Sequence, residues 1–171
     1  MAKANNPTNT FKVDVSELKA GIQEANRQIK LINSEFKAVS SSMDDWEKST
    51  DGLTAKIKQL SAVEEQEKKK LENLQKQYEL VAQEQGENSK GAQDLAVKIN
   101  NQIAKVNGVT KSLGNYKENL DVVERAQKEV EKSGRDFEEV LQEIEGGSQE
   151  TEDGFTVLKG TLADLASSAI Q

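Results

Sequence analysis

The sequence has 171 residues, of which 35% are hydrophobic, 4% aromatic and 31% charged, and it contains no cysteine and no histidine. Compact domains usually have about 45–50% apolar residues, so this composition predicts narrow apolar seams rather than a thick core. The two missing residue types exclude disulfides, thiol nucleophiles, cysteine-based zinc sites and histidine-dependent triads. A net charge of -7 has the wrong sign for a general nucleic-acid-binding protein. We therefore expect neither an enzyme nor a nucleic-acid partner.

Residues 1–13 form a polar lead-in. This segment has no secretory signal, and the chain has no stretch of roughly 20 apolar residues, so we expect no membrane association. Asp14 to Glu17 reads Asp-Val-Ser-Glu and has the form of a capping box. In such a box the Asp14 carboxylate accepts a hydrogen bond from the amide of Glu17, and the Glu17 side chain reaches back. The pattern predicts that the helical region begins at residue 14.

From Val15 to Ile144, apolar residues recur at alternating spacings of three and four in a single heptad frame. The frame holds 19 heptads, and 30 of its 38 a and d positions, here called seam positions, are apolar. A 3.5-residue spacing kept over this length is typical of a coiled coil, because an ordinary amphipathic stripe drifts by about 20° per heptad. The seam positions without an apolar residue are Thr50, Glu64, Glu67, Gln85, Asn88, Gln102, Gln127 and Gly134.

Glycine-containing segments divide the coiled-coil region, which we place at 14–145. The first predicts a turn near 50–52, with Thr50 or Asp51 capping the next helix. The second predicts a turn near 86–91, with Asn88 or Ser89 as the N-cap. Residues 146–171 are expected to hold a Gly-rich break and the start of a further helix, after Glu150 or Asp153.

The predicted fold class is all-α, with long coiled-coil helices, and two architectures fit it. If the turns form, segments 14–49, 53–84 and 89–132 fold as an antiparallel helical hairpin or three-helix bundle. If the polar seam positions are only polar layers within an unbroken helix, the chain forms a continuous parallel coiled-coil oligomer. The glycines favour the first form, which we predict, and the preserved register favours the second. Isoleucine and valine at both a and d positions favour trimers or higher states.

No catalytic, cofactor-binding or metal site is predicted. No glycine loop of a phosphate-binding type occurs, and Ser40–Ser42 have no histidine to activate them. Asp44 and Asp45 are neighbours, and adjacent side chains on a helix diverge by about 100°. The charged run Glu64–Lys70 is interpreted as a solvated helix face. Seam positions also hold Trp46, Tyr78 and Tyr116, which we interpret as core residues.

Four segments resemble, in order and spacing, the N-terminal region of tail tape measure proteins from long-tailed phages or prophages of Gram-positive bacteria. Together with the regions between them they cover most of the chain. The segments are Phe11–Ile22 (FKVDVSELKAGI), Glu47–Leu60 (EKSTDGLTAKIKQL), Gln77–Lys90 (QYELVAQEQGENSK) and Leu158–Leu165 (LKGTLADL).

The resemblance implies a structural protein that sets tail length during assembly and occupies the lumen of the tail tube. It implies self-association, as a trimer or higher state in the tail, with the tail tube protein and tail assembly chaperones as partners. The implied location is the virion tail, and the host cytoplasm during assembly. Family members are usually far longer, so the chain is expected to be an N-terminal fragment, and no catalytic residue carries over. The alternative interpretation is a coiled-coil scaffold or interaction protein unrelated to phages.

Overall fold

The computed structural model describes residues 14–147, and 89% of these are helical. No strand occurs within this range, so the prediction of an all-α fold is confirmed. The lead-in at 1–13 and the further helix expected after Glu150 or Asp153 lie outside the described residues. The elements are α1 (Ser16–Ser40), a 3-10 helix (Trp46–Lys48), α2 (Thr50–Gln85), α3 (Lys90–Ser133) and α4 (Phe137–Gly147).

The helices contribute to two compact units. Of the described residues, the first unit takes 14–33 and 62–109, and the second takes 34–61 and 110–147. The first unit therefore contains the beginning of α1, the end of α2 and the beginning of α3. The second contains the end of α1, the 3-10 helix, the beginning of α2, the end of α3 and α4.

Successive helices in the first unit pack antiparallel. Gly21, near the start of α1, lies so close to Asn73 of α2 that an added Cβ would be 2.7 Å from the Asn73 Nδ2 atom. At the start of α3, a Cβ on Gly91 would lie 3.2 Å from a methyl carbon of Val81, near the end of α2. Low residue numbers on one helix thus meet high numbers on its neighbour. This is the hairpin geometry predicted from the turns, and the single chain does not form one continuous helix.

The second unit is built around the connection from α1 to α2. Lys56 of α2 places its Nζ 4.7 Å from the ring centre of Phe36 in α1 and 5.5 Å from that of Tyr116 in α3. Lys48 forms an ion pair of 2.9 Å with Glu138 of α4. Leu53, on the first turns of α2, is completely buried.

The heptad frame accounts for most of the buried apolar residues. The exceptions are Val63, Ala126 and Val140, each at a g position, immediately before an a position. In α2 the g position, here called the g edge, is buried in four successive heptads. A helix that packs against two neighbours needs a buried stripe wider than the a and d positions alone. The members of the g edge are Lys56, Val63, Lys70 and Gln77.

The first break lies earlier than predicted. The hydroxyls of Ser40, Ser41 and Ser42 donate hydrogen bonds to the main-chain oxygens three residues before them, at 3.3, 2.9 and 2.7 Å. Such bonds compete with the helical pattern, and α1 ends at Ser40. Asp45 then adopts a left-handed conformation with φ of 43°. The residues predicted to turn, 50–52, instead form the first turn of α2.

The helix caps also differ in part from the prediction. The Asp14 carboxylate accepts a hydrogen bond from the amide of Ser16, at 2.9 Å, rather than from that of Glu17. Ser49, rather than Thr50 or Asp51, caps α2, since the Gly52 amide donates to the Ser49 hydroxyl oxygen at 3.0 Å. At the first cap the carboxylate is the predicted one and the amide donor is one residue earlier, whereas at the second cap the capping residue itself lies before the two that were predicted.

The later breaks follow glycines in left-handed conformations. The turn between α2 and α3 occupies residues 86–89, within the range expected, and Gly86 has a φ of 86°. Ser89 caps α3, because its hydroxyl oxygen accepts a hydrogen bond from the Ala92 amide at 3.2 Å. α3 ends at Ser133, one residue after the end of the third predicted segment, and Gly134 follows it with a φ of 68°. The described part of the chain ends with α4, which includes the glycine pair expected to break the helix.

The Ser89 cap leads to a first prediction. Ser89→Ala should lower the free energy of unfolding by about 1 kcal/mol, because the Ala92 amide loses its acceptor. Ser61→Ala, at an exposed position within α2, is the matched control and should leave stability unchanged or slightly raised. Urea unfolding followed by circular dichroism measures both. Equal effects of the two substitutions would contradict the capping role.

Candidate functional site

A buried polar layer interrupts the apolar seam of the first unit. Glu67 of α2 and Gln102 of α3, both at d positions, are 8% and 5% exposed. The Gln102 Nε2 atom donates hydrogen bonds to the Glu67 main-chain oxygen, at 2.9 Å, and to the Glu67 carboxylate. Lys70, also buried, places its Nζ 2.8 Å from the same carboxylate. The buried charge of Glu67 therefore has one neutral and one cationic donor.

This arrangement is better suited to positioning helices than to stabilising them. Taking a carboxylate and an ammonium group out of water costs free energy that their attraction only partly offsets. Removing one partner alone leaves a buried polar group unsatisfied, which costs about 1–3 kcal/mol. A polar layer in an apolar seam therefore penalises every pairing in which its members do not meet. The layer can select which helices pair, and in which register.

The charged run Glu64–Lys70 is only partly the solvated face that we predicted. Lys68 and Lys69 are exposed and pair with Glu64 and Glu65, at 3.1 and 2.7 Å. Glu67 and Lys70, in contrast, are buried. The d position of Glu67 was visible in the heptad frame, but the burial of Lys70 depends on the g edge of α2. A second neighbouring helix creates that edge, and the heptad pattern alone does not reveal it.

An aromatic cluster lies beside the first break, in the second unit. Trp46 meets the edge of Phe36 at a ring-centre distance of 5.2 Å and stacks on Tyr116 at 6.3 Å. The Lys56 ammonium lies over the rings of Phe36 and Tyr116, a cation–π arrangement. The core role expected for Trp46 and Tyr116 agrees with these contacts, which connect the 3-10 helix to α1, α2 and α3.

Burial changes the ionisation of two groups in this cluster. It lowers the pKa of Lys56, and the nearby Glu47 carboxylate opposes that change. It raises the pKa of the Tyr116 phenol, and Glu47 acts in the same direction. Both shifts disfavour the charged form of the buried side chain. Burial in the cluster therefore favours the neutral phenol of Tyr116 and weakens the preference of Lys56 for its charged form.

The raised pKa of Tyr116 leads to a second prediction. Above pH 10, its ordinary pKa, the unfolded chain loses the phenolic proton while the folded chain still holds it. The free energy of unfolding should then fall as pH rises through this range. Tyr116→Phe should reduce that fall, whereas the opposite contribution of Lys56 is common to both proteins. Urea unfolding on either side of pH 10 measures the difference, and identical pH profiles would contradict the assignment.

The other residues considered as chemical candidates are not brought into one site. Asp44 and Asp45 lie in the turn before the 3-10 helix, not on a helix as we assumed, and both are exposed. The hydroxyls of Ser40–Ser42 are engaged with main-chain oxygens at the end of α1. Tyr78 is half-buried on α2. Between residues 14 and 147, no three acidic residues lie close enough together to hold a metal ion.

None of the helices within the described range is long and apolar enough to span a bilayer. Comparison with known proteins identifies no relative: no family model, curated protein or solved structure matches the chain. The class that the fold and contacts define is thus an all-α protein of antiparallel helices with a polar layer in its seam.

Proposed function

We propose that the chain is the N-terminal region of a phage tail tape measure protein. The observation that carries the proposal is the single heptad frame from Val15 to Ile144, together with four segments that resemble this family in order and spacing. Most of the buried apolar residues of α2 and α3 lie at a or d positions of that frame. Under this proposal the chain self-associates in the tail and contacts the tail tube protein and assembly chaperones.

The physical argument for a length-setting role rests on helix geometry. A helix rises 1.5 Å per residue, so the length of an extended helical polymer is a linear function of its residue count. A narrow apolar seam leaves most side chains on the outside, and 31% of this chain is charged. Such a polymer can associate along its seam while presenting a polar surface to the wall of a tube.

A deletion in the gene that encodes this chain tests the proposal. Removing two heptads, Ile99–Ser112, keeps the seam in phase, and an extended polymer should give tails shorter by roughly 21 Å. Removing residues 99–111 instead is the matched control, because this 13-residue deletion rotates every later seam position away from the common face and should prevent assembly. Averaged electron micrographs of many tails measure both. Tails of unchanged length after several in-phase deletions spread along the gene would overturn the proposal.

The second candidate function is a coiled-coil scaffold or interaction protein outside phages. The antiparallel pairing of helices in each unit favours it, because a length-setting polymer does not need to pair with itself in this way. Neighbouring genes distinguish the two. Genes for tube and tail-tip proteins beside this one favour the tape measure function, and their absence favours the scaffold.

A further inference from the structure

The beginning of α1, residues 16–33, contributes little buried surface to the first unit. Of the 25 residues in α1 only Ala25 is buried, and its side chain is a single methyl group. The other two helices of this unit meet through larger side chains, since Leu95 and Val106 of α3 are both buried. Burial of apolar surface is the main force that holds helices together. Residues 16–33 are therefore attached less strongly than α2 and α3 are to each other.

The contact between α1 and α2 is also polar. A groove of about 440 Å³ runs between these helices, and six of the eight residues that line it have polar side chains. The other two are Gly21 and Ala25. The side-chain amide of Asn73 lies against the main chain of Gly21, so an added Cβ would come within 2.7 Å of the amide nitrogen. When the helices separate, water replaces polar contacts of this kind at a small net cost.

A buried amide of α2 lies one helical turn beyond this contact. Gln77 is 4% exposed, and its Nε2 atom has no acceptor among the described residues. Because α1 and α2 are antiparallel and Gly21 is level with Asn73, Gln77 is level with the first turn of α1. A buried donor without an acceptor destabilises the closed arrangement, and water satisfies the donor once the helix beside it moves away. Gln77 therefore favours opening at the beginning of α1.

The end of α1 is attached in a different way. In the second unit, the ring of Phe36 meets that of Trp46 at a ring-centre distance of 5.2 Å and also contacts the Lys56 ammonium. Aromatic pairs and cation–π contacts add to the free energy gained by burying the ring. Phe36 therefore anchors this end of the helix, whereas no comparable side chain anchors residues 16–33.

We propose that residues 16–33 form a strap that opens away from α2 while α2 and α3 stay paired, and that the unpartnered amide of Gln77 favours the open form. Opening gives this amide, on the g edge of α2, access to water. Local opening occurs where few apolar contacts hold an element, at a free energy well below that of global unfolding. The proposal concerns the fold of the chain and is independent of the tape measure function.

A single cysteine can report the opening, because the natural sequence contains none. In Ala25→Cys the thiol should be buried while the strap is closed, so a thiol reagent reacts with it only after opening. Val106→Cys is the matched control, since Val106 is buried in α3 of the same unit and its thiol should react only when α2 and α3 separate.

The reaction rates of the two folded variants are each divided by the rate of the same variant unfolded in urea, and corrected for any difference in global stability. We expect the Ala25→Cys thiol to react at least about tenfold faster than the Val106→Cys thiol. Equal rates would overturn the proposal, because they would mean that α1 opens only when the whole unit unfolds.

The effect of Gln77 is tested in the Ala25→Cys protein. Gln77→Leu removes the unpartnered amide and should slow the reaction of the thiol about tenfold. Gln83→Leu makes the same chemical change at an exposed position of α2 and should leave the rate unchanged. If both substitutions left the rate unchanged, the amide of Gln77 would have no part in the opening and that half of the proposal would be wrong.

Amide hydrogen exchange of the natural protein provides a second measurement if Ala25→Cys does not fold. After correction for intrinsic rates, the amides of residues 20–33 should exchange at least about tenfold faster than those of residues 94–109 in α3. The latter exchange only when α2 and α3 separate. Similar protection of the two segments would contradict a strap that opens by itself.

Discussion

Gly52→Ala should lower the free energy of unfolding by about 3 kcal/mol, although alanine is the better helix former. Gly52 is buried in the first turn of α2, beneath the 3-10 helix. A Cβ at this position would lie 2.1 Å from the Trp46 main-chain oxygen and 2.7 Å from the Trp46 carbonyl carbon. Both of these Trp46 atoms belong to the backbone, so a side-chain rotation cannot relieve the clash. The 3-10 helix would have to move away from α2.

Gly114→Ala is the matched control and should have the opposite sign. Gly114 is an exposed residue of α3, and a Cβ built on it meets no atom within 4 Å. Alanine there should raise stability by about 1 kcal/mol, because glycine in a helix interior carries a larger loss of backbone entropy. Urea unfolding followed by circular dichroism gives both values. Stabilisation by both substitutions would show that the contact between Gly52 and Trp46 does not restrain the fold.

The heptad pattern predicted the helices and most of their buried faces, because burial along one side of a helix leaves a periodic record in the sequence. Leu53, Leu60 and Leu113 all lie at seam positions and are buried. The pattern did not predict the burial of Lys56 and Lys70. Their positions are buried because α2 has a second neighbouring helix, and a single chain's periodicity contains no information on how many neighbours pack against it.

The positions of the breaks were less predictable, because they depend on local hydrogen bonds that compete with helix formation. The run Ser40–Ser42 contained the signal for the end of α1, since serine hydroxyls can bond to nearby main-chain oxygens. As the signal for this break we gave more weight to Gly52. That glycine instead lies in the first turn of α2 and allows the main chain of Trp46 to approach the helix closely. For the polar layer, the seam position of Glu67 was evident from the sequence. Its partner Gln102 lies 35 residues away and was identified only from the antiparallel packing.

Leu53→Ala should lower the free energy of unfolding by about 2–5 kcal/mol. Leu53 occupies a d position of α2 and has no exposed surface. Shortening it removes buried methyl groups and leaves a cavity that the surrounding helices can fill only in part. The protein should therefore unfold at a lower urea concentration, with little change in the slope of the transition.

Leu31→Ala is the control that separates burial from residue type. Leu31 lies on α1 at a c position, outside the seam, and is 49% exposed. Its replacement should change stability by no more than about 0.5 kcal/mol, because little buried surface is lost and alanine is a good helix former. The two variants make the same chemical change in two helices. The difference between their free energies of unfolding therefore measures the effect of burial at a position that the heptad frame assigns to the seam. Equal losses would mean that the d positions of α2 do not form the core, and the frame would then have no structural basis in this chain.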